Sequence, residues 1–205
     1  MGLYYRDPIL PSQYVVSAAS TATIVTLDEL RAHLNLFDDT TYDTYLTRLV
    51  RAGQDAAESY IGEFFSLTEV QAFYPRLGER FQLPHRQVDG IASLAYYDSS
   101  NVLTTITGSA YLYDNTAINK SLKITDDSFL NADLSQDYES PVIVTYNALV
   151  EGNNITEGVA QAILLYCSSM FANRENYTLN QVVQPLPMAS ERLLDSHLRL
   201  SLIHI

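Results

Sequence analysis

Tyr42-Asp-Thr-Tyr-Leu-Thr-Arg-Leu-Val-Arg-Ala-Gly-Gln-Asp-Ala-Ala-Glu-Ser-Tyr-Ile-Gly62 is the stretch from which the rest of the chain is read. Tyr42, Tyr45, Leu46, Leu49, Val50, Gly53, Ala57, Tyr60 and Ile61 recur at steps of three and four, the period that lines one face of an α-helix. Arg48, Arg51, Asp55 and Glu58 fall mainly on the other face. Gly53, Ala56 and Ala57 are small enough to admit a second helix at mid-length, and Gly62 suits a left-handed helix stop. Upstream, Thr26-Leu-Asp-Glu29 is a capping box, in which the Thr26 side chain serves a free first-turn N–H while Glu29 reaches back. It predicts a short helix through about Leu34. Asn35 to Thr40 breaks that helix, and Asp39 to Thr41 offer caps for the next one.

Downstream the period changes at Phe64. Glu69–Tyr74, Arg80–Leu83, Val88–Tyr97, Val102–Ile106, Ala110–Tyr113, Leu122–Ile124 and Val142–Ala148 are short β-branched or aromatic runs, punctuated by Pro75, Gly78, Pro84, Gly108 and Asp114-Asn115. Asp98 to Asn101 reads as a four-residue hairpin loop. Helical spacing returns after Gly152, where Asn154 and Glu157 form a cap pair ahead of Val159, Ile163, Tyr166, Cys167, Met170 and Phe171. Residues 188–200 give a short amphipathic helix through Leu193, Leu194 and His197, and Leu200 to Ile205 is apolar. The expected fold is α+β: a small helical bundle with an antiparallel β domain inserted between its second and third helices, plus extended N- and C-terminal arms. Residues 1–25, polar and aperiodic, form the N-terminal arm. Residues 26–64 and 150–205 form the helical core and tail, and residues 65–149 the insertion. Leu46, Leu49, Val50, Ala57 and Ile61 are expected to pack against Ile163, Cys167 and Met170.

The composition narrows the function. Of 205 residues 47% are hydrophobic and 18% charged, which is enough apolar mass for a packed core and too little charge for a disordered chain. Twenty-four acids against twelve bases leave a net charge of −12, so a Lys/Arg stripe that grips nucleic-acid phosphates is not expected. No apolar run reaches the length of a membrane span, and the first residues lack a secretory leader pattern. A single cysteine excludes an internal disulfide and fits synthesis in a reducing cytoplasm.

No chemistry-bearing constellation stands out. His33, His85, His197 and His204 have no metal-ligand spacing, and Cys167 sits on an apolar helical face where an inert core thiol is expected. Asp126, Asp127, Asp133, Asp137 and Glu139 cluster without the alternating spacing and turning Gly of a calcium loop, so they read as a solvated acidic surface loop. Catalysis, metal and cofactor are therefore not expected. Fifteen tyrosines, seven phenylalanines and no tryptophan tilt the chain toward surfaces that stay partly wet, because tyrosine joins an apolar body to a polar tip. Such a chain is a binding or assembly module.

Four stretches in this order carry a resemblance. They are Thr26 to Asn35 with the Asp38-Asp39 break and the helix ending Ala56-Ala-Glu-Ser-Tyr-Ile-Gly62; Phe81-Gln-Leu-Pro-His85 with Ile91 to Asp98; Ala162 to Tyr166 with Phe171-Ala-Asn-Arg-Glu175; and Pro185-Leu-Pro-Met188 with Leu193-Leu-Asp195. Over residues 26–200 the chain resembles the head–tail connector (adaptor) family of tailed bacteriophages and gene transfer agents. Phe171-Ala172 departs from that family's aromatic–acidic pair, and residues 1–25 have no counterpart. The resemblance implies a non-catalytic virion protein of the neck. It would form a ring of twelve copies under the portal protein, extending the DNA channel toward a stopper, tail or nozzle protein, with DNA passing through the lumen unbound. Acidity suits such a duct, since like charge repels phosphate. The expected portal-docking element is the C-terminal segment, through Leu193, Leu194, Leu198, Leu200, Leu202, Ile203 and Ile205. A different class also fits the residues: a Tyr-rich module of a virion or cell surface that contacts a receptor or glycan.

Overall fold

The computed structural model describes residues 8–37, 39–116, 120–150, 157–173, 177–178, 181–182 and 188–197. The fold is α+β and divides into two compact units, one of residues 21–66 and 150–205, the other of residues 1–20 and 67–149.

In the first unit, α1 (Leu27–His33) starts on the capping box read from the sequence. The Glu29 N–H donates to Thr26 Oγ1 at 3.2 Å and the Thr26 N–H to Glu29 Oε2 at 2.7 Å. α2 (Asp43–Ile61) follows, its N-cap Tyr42 making no side-chain cap bond. What secures its first turn is Arg31, whose guanidinium grips both oxygens of Asp43, Nε at 2.9 Å. Gly62 ends the helix at φ 78°, as the sequence predicts, and its N–H bonds the Glu58 carbonyl. α3 (Glu157–Ala172) and α4 (Met188–Asp195) complete the unit. Asn154, expected to cap α3, lies outside the described residues. A short two-stranded ribbon, Tyr177–Thr178 with Gln181–Val182, precedes α4.

The core of this unit joins Leu46, Leu49, Val50, Ala57 and Ile61 of α2 to Val159, Ala162, Ile163 and Cys167 of α3, with Leu30, Val25 and Leu194 closing it and Met170 packed half-buried against it. Gly53 sets the α2–α3 approach. A β-carbon built there would lie 2.9 Å from Cys167 Sγ and 3.2 Å from Ile163 Cγ2, closer than packed atoms tolerate.

The second unit holds two antiparallel sheets. Its eight strands are β1 (Gln13–Ala18), β2 (Thr68–Tyr74), β3 (Arg80–Gln82), β4 (Val88–Tyr97), β5 (Leu103–Ile106), β6 (Tyr111–Asp114), β7 (Ser121–Ile124) and β8 (Val142–Ala148). The larger sheet has the order β1-β2-β8-β4-β5 and the smaller β3-β7-β6. Alternation, strict in β2 and broken in β8 only by buried Thr145, buries Thr68, Val70, Ala72 and Tyr74 of β2 with Val142, Val144 and Tyr146 of β8 on one face. Phe81, Leu83, Leu122 and Ile124 of the smaller sheet's strands and their flank are buried in the same unit. The loop from Asp98 to Asn101 is a tight turn, with Asn101 at φ 61° and Asp98 Oδ1 accepting from the Ser100 and Val102 N–H groups.

Residues 1–25 do not form one arm. Residues 13–18 are the edge strand β1, paired with β2 from Gln13↔Phe73 to Ala18↔Glu69, and Ile9 bridges Phe81. Val25 belongs instead to the helical core. Tyr14-Val-Val16 was the available signal, a β-branched run just past Pro11. Its brevity and the small polar residues after it obscure a strand that exists because β2 offers an open ladder.

Candidate interaction surface

The other face of the larger sheet is partly exposed, with Gln13, Val15 and Thr105 at the surface and Ala95 and Thr145 buried. Ladder register aligns Gln13, Phe73, Ile143, Ala95 and Thr105 in one row across all five strands, and Val15, Gln71, Thr145 and Ser93 in the next. At one end of this face lies an open groove of about 520 Å³ lined by Ser12, Gln13, Gln71, Phe73, Tyr97, Tyr138, Glu139, Ser140 and Ile143. Tyr138 stacks flat on Tyr97, with ring centres 4.2 Å apart and planes 17° off parallel. Ser140 Oγ donates to Ser12 Oγ at 2.9 Å. The lining is aromatic and amide-bearing with a lone carboxylate and no cation, so it favours neutral partner surface over anions.

The acidic segment borders this groove. Asp126, Asp127, Asp133, Asp137 and Glu139 are all exposed, but their backbone is pinned. The Ser99 N–H donates to Asp133 O, the Ser135 N–H to Tyr97 O, and Asn101 Nδ2 to Asp137 Oδ2 at 2.6 Å. Asp126 caps a 3-10 turn over Asp127–Asn131 through the Ser128 N–H, and the Ser128 hydroxyl together with that N–H holds its carboxyl below the usual range. Among the described residues no three His, Cys, Asp or Glu side chains converge to hold a metal ion.

The residues assigned to portal docking separate. Leu194 is 1% exposed and Leu193 packs half-buried against the same helical core, so both side chains contribute to the packing of this chain. Leu198, Leu200, Leu202, Ile203 and Ile205 lie outside the described residues.

Tyrosine is also used differently from the sequence expectation. Tyr74 and Tyr146 are fully buried, with hydroxyls that reach Gln82 O at 2.8 Å and His85 Nδ1 at 2.6 Å. Burial pushes the Tyr74 phenol well above its ordinary pKa. Tyr113 donates to Val88 O and Tyr60 to Asp195 Oδ1. Tyr74, Tyr96 and Tyr146 are therefore core, most of the other described tyrosines are half-buried, and Tyr14 and Tyr138 are exposed. Cys167 is buried too, its thiol donating to Leu49 O at 3.3 Å and pushed up to about 12 by burial, which keeps it protonated and unreactive. The Tyr97–Tyr138 stack joins residues far apart in the chain, and no local pattern announces it.

The geometry defines a class first: an α+β chain whose helical core is interrupted by a two-sheet β unit with a partly exposed sheet face. Solved structures with this fold come from gene transfer agent (GTA) particles. One chain from the virion of a native particle superposes with a TM-score of 0.69 at 16% identity. A chain from the neck of an empty particle computed with C6 symmetry gives 0.67 at 17%, and one from the neck of a native particle computed with C12 symmetry gives 0.64 at 18%. In each, the match covers 94% of this chain and 98% of the other. No protein-family model matches the sequence, and no curated protein matches it either.

Proposed function

We propose that this chain is a structural head–tail adaptor: a non-enzymatic neck subunit that forms a ring, of twelve copies by the family pattern, between a portal protein and the next neck, stopper or tail component. The observation that carries the reading is the near-complete two-way coverage of GTA neck chains, both units and their interruption included. The resemblance in the four sequence stretches supports it independently. Each copy brings a net charge of −12, which suits a lumen that DNA crosses without capture. The docking role narrows to residues 198–205, since Leu193 and Leu194 contribute to the packing of this chain.

The test is imaging and mass photometry of the purified chain, alone and mixed with the portal protein of the same particle. Closed rings on the portal are expected, and their loss on truncation after His197 with the monomer's melting temperature unchanged. A chain that stays monomeric in both conditions sinks the reading. Duplex DNA should not bind at physiological salt. Micromolar, salt-sensitive binding would contradict a passive lumen and point to Arg76, Arg80 and Arg86.

A further inference from the structure

We propose that the two edges of the five-stranded sheet, β1 and β5, pair with each other between neighbouring copies of the chain, head to tail, so that one subunit's sheet continues into the next. The inference rests on the ring reading above and supplies the contact that reading lacks.

Among the described residues β1 pairs with β2 alone and β5 with β4 alone. All six residues of β1 are exposed, Tyr14, Val15 and Val16 at 49%, 45% and 44%. At the far edge Val102 and Leu103 are exposed at 56% and 50%. An edge strand that must stay single is normally protected by Lys, Pro or an inward charge. Neither Gln13-Tyr-Val-Val-Ser-Ala18 nor Leu103-Thr-Thr-Ile106 contains any of these, and the one register shift in β1, between Val16 and Ala18, leaves Gln13 to Val16 regular. Absence of charge matters doubly here. Copies that each carry −12 repel, so contact is favoured where both surfaces are neutral, and these two strips are.

Direction decides between the possible pairings. Every neighbouring pair in the sheet is antiparallel, and with five strands the two edges run the same way. Joining β5 of one copy to β1 of the next extends the sheet by a parallel pair between two different surfaces. Such a heterologous contact repeats by rotation and closes into a ring, whereas β1 against β1 is self-complementary and stops at a dimer. The similar chains come from necks computed with C6 and C12 symmetry, the cyclic case. Ladder register also matches the faces. Val15 shares the outer face with Gln71, and Leu103 and Thr105 share it with their partners Tyr97 and Ala95, so the pairing sets Val15 beside one of those two.

Disulfide trapping tests this on the full-length chain. Val15→Cys is combined with Leu103→Cys, and separately with Thr105→Cys; the native Cys167 is buried and does not compete. On mild oxidation at high protein concentration, one of the two double variants should give a ladder of covalent oligomers on non-reducing gels, and Val15→Cys alone should not. No ladder from either, or dimers from Val15→Cys alone, overturns the head-to-tail pairing. Imaging of the unmodified chain on its portal separates the two readings. Rings without a ladder leave the adaptor reading standing and remove the edge contact; a ladder without closed rings does the reverse.

Discussion

The two units differ in the polar groups they hold at depth. In the helical unit Gln54, on α2, is buried and holds a loop, and Glu63, Ser66 and Ser190 are buried outside that helix. Gln54, 5% exposed, accepts from the Ile24 N–H and donates to Ala22 O and Glu58 Oε1, while Glu58 accepts the Phe65 N–H at 2.8 Å. In the β unit two of the most deeply buried side chains are strand tyrosines, Tyr74 and Tyr146, whose hydroxyls meet a backbone carbonyl and a ring nitrogen, with Thr68, His85, Ser121, Ser135 and Thr145 also buried. A helix saturates its own backbone, so its polar side chains are free to bind the irregular segments beside it. A sheet saturates its backbone only between strands, so aromatics fill its interior and its outermost strands are left open. Among the described residues the helices bury their faces against one another, while the five-stranded sheet ends in two open edges.

That contrast breaks first at Leu194. If α4 is core, Leu194→Ala should lower stability by about 2–5 kcal/mol, the range for a fully buried Leu. Chemical denaturation of the variant should show it. An unchanged midpoint would mean that α4 is not part of the helical core and would return Leu194 to the docking surface.

Gly53 comes next. Its replacement by Leu must push α2 and α3 apart against Cys167, Ile163 and Tyr166, an overpacking cost of about 1–3 kcal/mol that the gain in helix propensity only partly offsets. Ala52, one position away and exposed, is the control: Ala52→Leu should change the midpoint little. Equal effects at both positions would mean that the helix contact has slack.

The β unit should respond more mildly. Tyr146→Phe keeps the ring in the core and removes the hydroxyl that bonds His85 Nδ1, a ring that Tyr14 also covers edge-on at 5.0 Å. A net loss of about 1 kcal/mol is expected. A loss as large as that of Leu194→Ala would show that the pair organises the sheet rather than merely filling it.

These effects also mark what a sequence can carry. The helices are legible because their signals are local. Thr26 and Glu29 are three residues apart, Gly62 directly follows its helix, and the spacing from Tyr45 to Ile61 repeats within one segment. β4 and β8 are legible at their observed limits for the same reason, since alternation and β-branching lie along the strand. Residues 13–18 become a strand only because β2 lies beside them, a cause that their own composition does not contain. The Tyr97–Tyr138 stack and the burial of Leu193 and Leu194 have the same non-local origin. Amphipathic spacing says that a face will be covered; it does not say whether this chain or another covers it.

The smallest expected effect sharpens the contrast most, because it isolates one clamp. Burial raises the Glu58 carboxyl above its usual pKa, against the opposing pull of its bonds from Phe65 and Gln54. Unfolded, Glu58 ionises near its ordinary 4.5; folded, it holds its proton to higher pH. Between those two values the native state binds more protons than the unfolded one, so stability falls as pH rises through that window. Below it both states are protonated and the penalty is absent; above it the full cost of a charged, half-buried carboxylate remains. Glu58→Gln keeps an oxygen to accept from Phe65 and Gln54 but cannot titrate. The difference in unfolding free energy, variant minus parent, should therefore be greatest at pH 7 and shrink as pH drops toward 4.5. Denaturation series at matched pH values measure it directly. A difference that stays flat, or grows toward acid, would mean that the bonds from Phe65 and Gln54 outweigh desolvation and that Glu58 clamps the loop best as an anion.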